Sequence, residues 1–156
     1  MTNTSEPQAP AARTVPPSAH EAPRERTRGM PELVRRGLIA AGIATGVNLT
    51  ILGIATAAGA SMVVVQGGTE IAVGIMPVLV ATFAPLALAT IAAWLLAERW
   101  PRSTRILAWT GLVAAAASTI LPLSGALDAG TGIALAVMHL VAGASWFAAL
   151  VSHRRR

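Results

Sequence analysis

RRGLIAAGIATGVNLTILGIATA, residues 35–57, opens with two arginines and then runs to its end without another charge. Its uncharged part, residues 37–57, is about 20 residues long, and at about 1.5 Å per residue a helix of that length crosses a hydrocarbon core about 30 Å thick. The same pattern continues outward along the chain. Between Arg36 and Glu98 the only charged residue is Glu70, and between Arg105 and Arg154 the only one is Asp128. A soluble domain of 156 residues has too much surface to leave such spans uncharged, whereas a bilayer core requires it. Composition agrees: 12% of residues are charged and 54% hydrophobic, against about 25% charged in soluble proteins.

Four spans follow, at about residues 37–57, 73–97, 106–124 and 131–151, within a membrane domain covering 31–153. The fold class is all-α, a four-transmembrane-helix bundle with a disordered N-terminal tail. That tail, residues 1–30, is rich in Pro, Ala, Thr, Ser and Arg, with no apolar periodicity to offset its ordering entropy. Pro31 and Glu32 start a short amphipathic entry to the first span. Residues 59–72 read as a loop with a short strand lying against the bundle, because Met62–Val65 is largely β-branched and Gly67-Gly68 breaks it. The second span carries Pro77 and Pro85 as kinks, since bundle neighbours can satisfy the freed carbonyls. Pro122 loosens the end of the third. Arg35-Arg36 before an apolar run ending in Ala58-Gly59-Ala60 has the outline of a signal peptide, but the run is too long and its leader too extended.

Arginine placement orients the bundle. Arg35 and Arg36, then Arg99, Arg102 and Arg105, then Arg154 to Arg156 all fall on one side of a four-span topology. Cytoplasmic loops retain basic residues, so a cell-membrane protein with both termini inside is expected. Trp94, Trp100, Trp109 and Trp146 lie in the cytoplasmic halves, at headgroup level. All 12 basic residues are Arg, which reads as a bacterial coding bias. The net charge of +5 is therefore an orientation signal, and no nucleic-acid partner is expected.

Chemistry has few places to reside. With 0 cysteines there is no disulfide, thiol nucleophile or thiolate metal site. No HExxH, GxSxG or phosphate-binding glycine loop is present, and three dispersed histidines make no metal centre. No catalytic, cofactor-binding or metal residue is assigned, and an enzyme is not expected. Among the polar residues within the spans, Asn48, Thr82, Thr119 and His139 stand one on each helix at similar depth in the outer half. Asn48 is the expected partner of His139, with Thr119 next. Such a layer can cross-bridge helices, or it can relay protons or hold a small solute around a histidine that titrates near neutrality. No intramembrane carboxylate accompanies His139, which favours the structural role.

Small residues mark the packing faces. Gly132, Ala136 and Gly143 share a narrow face of the fourth span with His139 and Trp146. Gly42 and Gly46 form a GxxxG pair extended by Gly53, and Ala41, Ala44, Asn48, Ala55 and Gly59 form a second small face, so the first helix is expected to pack on two sides. Besides the lipid bilayer, a second copy or another membrane protein is a candidate partner. Arg35-Arg36-Gly37-Leu38, Leu121-Pro122-Leu123-Ser124 and the run MHLVAG from Met138 to Gly143 carry a resemblance. On these, roughly residues 35–151 resemble a bacterial family of small four-helix membrane proteins known only as a domain of unknown function. The resemblance implies a membrane location and a four-helix core, and no activity.

Overall fold

A computed structural model describes residues 31–100 and 102–152. The expected tail at 1–30 and the terminal arginines lie outside the described residues. The chain forms α1 (Glu32–Ala57), a hairpin of β1 (Val63–Gln66) and β2 (Thr69–Ala72), α2 (Ile75–Arg99), α3 (Ser103–Ser118), α4 (Ile120–Gly125) and α5 (Ala129–Ser152). Four segments are long and apolar enough to cross a membrane: Glu32–Ala57, Ile75–Arg99, Ser103–Gly125 and Ala129–Ser152. Many apolar side chains face outward, among them Ile54 at 65%, Leu88 at 68%, Ile120 at 67% and Leu121 at 75% exposure. Water would not tolerate so continuous an apolar surface, and lipid is its natural solvent. This is a membrane protein.

Local chemistry explains each boundary. Arg35 N–H donates to the Pro31 carbonyl, and Glu32 in the first turn holds both Arg35 and Arg36, so α1 starts before the apolar run. A carboxylate there also suits the positive end of the helix dipole. Pro77 is not a kink. It sits in the first turn of α2, where the missing N–H has no helical partner to lose, and Pro85 is the proline inside that helix. Pro122 has the larger effect. Lacking an N–H, it cannot bond the carbonyl one turn back, and the third span divides at Thr119 into α3 and α4. The Ser118 and Thr119 hydroxyls turn back onto the Ala115 and Ala116 carbonyls at 2.8 and 2.7 Å.

The loop expected to hold one short strand is a two-stranded antiparallel hairpin, with Val63 opposite Ala72 and Gln66 opposite Thr69. Gly67 (φ 60°) and Gly68 (φ 81°) make its two-residue turn, and positive φ at both positions is why glycine stands there. Neighbouring segments anchor it: Leu127 N–H donates to Val63 O at 3.1 Å, and Val73 N–H to Met62 O at 2.7 Å. Met62 itself takes φ 50°, strained for a side chain, and is 5% exposed in the core.

Packing is strongest between α3 and α5, α1 and α2, and α1 and α5, while α2 touches α3 only lightly. The bundle is thus an arc, α2-α1-α5-α3, closed loosely between its ends. One core cluster lies at the arginine end around Leu33, Ala93, Ala108, Trp146 and Leu150, and another at the hairpin end around Leu52, Met62, Val78, Leu135 and Met138. Trp146 is therefore a core residue and not an interfacial one, its Nε1–H donating to Leu107 O at 3.1 Å.

Of the small residues, a Cβ on Gly143 would collide with the Ala115 methyl, and one on Gly132 would lie 3.3 Å from the Pro122 carbonyl. Ala136 is buried as well. Gly37, not singled out for packing, lies against the Thr90 side chain. By contrast, Gly42, Gly46 and Gly53 have nothing within 4 Å of an added Cβ. α1 does pack on two neighbours, α2 and α5, through the part that carries Ala41, Ala44 and Asn48, while the face of Gly42, Gly46 and Gly53 is open among the described residues. Two small faces about a third of a turn apart look alike in sequence, and only the neighbouring helices distinguish them.

Candidate functional site

A cavity of about 470 Å³ lies in the hairpin half of the bundle, where α2 and α4 have little contact at most. Asn48 of α1 and Leu135, Met138 and His139 of α5 form its back wall, Val78 and Thr82 of α2 and Leu121 and Pro122 of α4 its sides, and Val64 and Gln66 of β1 its roof. Leu121 and Ala81, and at the hairpin end Val65, Gln66 and Pro77, line the cavity and are exposed, so it is open to the surface. The Pro122 break helps to make this gap, because it lets α4 lean on α5 independently of α3.

Asn48 is 1% exposed and central to the polar chemistry. Its Nδ2 donates to Thr82 Oγ1 at 3.0 Å and to the Met138 carbonyl at 3.3 Å, tying α1 to α2 and α5. A carbonyl only accepts, so the Met138 contact sets which end of the amide is the NH₂. The other end, Oδ1, is buried and has no hydrogen-bond partner among the described residues. His139 is half-buried, with Nδ1 2.7 Å from the Leu135 carbonyl of its own helix. By the same reasoning Nδ1 carries the proton, and in the neutral ring Nε2 is an acceptor. Asn48 Oδ1 is closed off from the cavity by its neighbours, and the lining carries the Thr82 hydroxyl and the Gln66 amide beside the His139 ring.

Of the four residues expected in one layer, Asn48, Thr82 and His139 line this cavity. Thr119 bonds Ala116 O in its own helix and stands outside it. His139 does not pair with Asn48, whose amide reaches Thr82 and Met138 instead. Counting residues from a membrane surface gives depth but not the direction a side chain faces. The hairpin roof and the α2–α4 gap were not legible, although Gly67-Gly68 signalled a turn and Pro122 a break. His139→Leu is expected to cost less than about 0.6 kcal/mol, because Leu135 O keeps its backbone hydrogen bond. Thermal unfolding in detergent, run beside His139→Gln, checks this.

A second polar cluster fastens the roof. Asp128 Oδ1 accepts from Thr131 N–H at 2.8 Å, capping α5, while Oδ2 accepts from Thr131 Oγ1 at 2.7 Å and from Ser61 N–H at 3.1 Å. The Ser61 hydroxyl donates to the same oxygen, and Met62 N–H donates to Thr131 Oγ1 at 2.8 Å. These hydrogen bonds, first that from the Ser61 hydroxyl and then that from Thr131, hold the Asp128 carboxyl well below the usual carboxylate range. An Asp three residues before a Thr at a helix start is a readable cap signal, but its link to Ser61 spans 67 residues and is not.

The model of a family of unknown function, DUF6069, matches residues 28–156, so the chain belongs to that family. No curated protein and no solved structure matches the chain.

Proposed function

We propose that this family member is a non-catalytic bacterial cell-membrane protein, with both termini cytoplasmic, acting through structure or through interaction with a membrane partner. The observation that supports this best is how the intramembrane polar groups are used. Asn48 cross-links three helices, and the Nδ1 of His139 is engaged by its own helix, so the described residues form no continuous chain from one membrane face to the other. Affinity purification of the full chain from membranes, with size measurement and mass spectrometry, tests the reading. A defined complex is expected; proton flux in proteoliposomes that His139→Gln abolishes would overturn it. That flux belongs to a second reading, a small-solute or proton transporter component, which the cavity beside Asn48 and His139 favours.

Orientation is tested separately. Reporter fusions after Arg36, Arg102 and Arg156 are expected to read cytoplasmic, and fusions near Gly68 and Asp128 external. An external signal at Arg102 would refute the four-span topology.

A further inference from the structure

We infer that a groove between α1 and α5, at the arginine end of the bundle, binds one anionic phospholipid, with its phosphate on Arg36 and an acyl chain along the helices. This goes beyond the proposed role and needs only the membrane setting, since neither a protein partner nor a flux enters it. The groove has a volume of about 460 Å³ and is lined by α1 between Arg36 and Ile43 and by α5 between Ser145 and Ser152. Each stretch is about 10 Å long at about 1.5 Å per residue, so the groove runs from the arginine end into the apolar part of the bundle. Buried Ala149 and half-buried Ala40 form its floor, and exposed Ile39 and Ile43 its rim. Small side chains below and branched ones beside them leave an apolar trough that suits the upper part of an acyl chain.

Charge selects the headgroup. Arg36 stands at the head of the trough with its side chain 21% exposed, held by the Glu32 carboxylate and by Nη1–H donating to Ser152 O at 2.9 Å. Already fixed, it has little rotamer entropy left to lose on binding. A guanidinium has five N–H donors, and among the described residues Arg36 uses its Nε–H on Glu32 and one Nη1–H on Ser152, so donors remain for a phosphate. Glu32 bonds Arg35 as well as Arg36, and two cations against one carboxylate leave one positive charge uncompensated. Both Glu32 oxygens are engaged by the arginines, so the cluster offers no free carboxylate to the ammonium group of a zwitterionic headgroup. Among the described residues no Asp or Glu lines the groove; the Ser152 hydroxyl turns to the Ala148 carbonyl at 2.6 Å, and Ser145 carries no charge. The sequence after Ser152, a histidine and three arginines, adds positive charge to this end and is too polar to fill an apolar trough. A basic pocket between spans at the membrane surface is suited to an anionic headgroup.

Native mass spectrometry of the full-length protein in detergent tests the site. The probes are dioleoylphosphatidylglycerol, dioleoylphosphatidylcholine with the same acyl chains, and glycerol phosphate as a soluble source of the headgroup. One phosphatidylglycerol is expected to bind roughly tenfold more tightly than phosphatidylcholine, the worth of about one charge-assisted hydrogen bond. Arg36→Gln is expected to bring phosphatidylglycerol down to the level of phosphatidylcholine, whereas Arg36→Lys, which keeps the charge, retains most of the preference. Ala148→Trp, which fills the trough from an exposed position and leaves the Arg36 bonds in place, is expected to remove the binding of both lipids. Arg99→Gln, at an exposed arginine outside the groove, is expected to change neither. Equal affinity for the two lipids would overturn the inference, as would an equal loss in Arg99→Gln, the mark of surface charge without a site. Unchanged binding by Ala148→Trp would overturn the groove as the place of binding. Displacement of phosphatidylglycerol by equimolar glycerol phosphate would overturn a lipid as the occupant. None of these outcomes depends on whether a protein partner co-purifies or a flux is found.

Discussion

Gly143→Ala is expected to lower stability by about 1–3 kcal/mol, a large effect for one added methyl group. The new Cβ falls on the Ala115 methyl, and Leu112 Cδ1 and Cα close the same space at 3.6 and 3.7 Å. Ala115 has no rotamer to change, so the relief must come from α3 and α5 moving apart along the most extensive helix contact in the bundle. Alanine's helix preference, up to about 1 kcal/mol over glycine, works the other way and does not offset it. The informative control is Gly42→Ala or Gly46→Ala, where an added Cβ meets nothing within 4 Å and the change should stay within about 0.5 kcal/mol. Thermal unfolding of the purified variants in one detergent compares them directly. A loss at Gly42 equal to that at Gly143 would contradict the packing described.

That contrast also marks how far the sequence could be read. The four spans were legible because charge is excluded from a bilayer core wherever the chain crosses it, so Glu70 and Asp128 stand out against long uncharged runs. Asn48 and Thr82, two residues read at shared depth, are joined by a bond of 3.0 Å across 34 residues, while the partner expected for Asn48 was His139. Azimuth was not legible. The hydroxyl of Thr119 bonds Ala116 O of its own helix, as those of Thr45, Thr50 and Thr90 bond carbonyls of theirs. The GxxxG pair raises the same difficulty. Glycines permit close approach, but whether a helix comes is decided by the arc order α2-α1-α5-α3, which no local pattern encodes. The cavity was least legible of all, being made where helices have little contact.

Asp128→Ala is expected to loosen the hairpin end and to change how the protein responds to acid. One carboxylate both caps α5 through Thr131 N–H and holds the Ser61 backbone and hydroxyl, which precede the strained Met62. Removing it frees the segment that sets β1, and β1 supplies Val64 and Gln66 to the cavity roof. Hydrogen exchange at residues 62–66 should rise sharply, and the melting temperature at pH 7 should fall by several degrees. Asp128→Asn separates the roles. An amide oxygen can still cap the helix, but its NH₂ would face donors that now meet a carboxylate oxygen. Asn should therefore retain much of the melting temperature while hairpin exchange still rises. The acid response follows from the lowered carboxyl. A group whose folded-state pKa lies below its unfolded value stabilises above the unfolded value and loses that contribution as pH falls toward the folded one. For Asp128 the window opens near the ordinary aspartate value of about 4 and extends downward, so stability from pH 7 to 5 should be unaffected by this group. Melting temperatures measured from pH 5 to 3 should fall more steeply for the unmodified chain than for Asp128→Asn, which has no proton to take up there. Parallel curves for the two proteins would mean that the carboxylate does not hold the hairpin as the distances to Ser61 and Thr131 require.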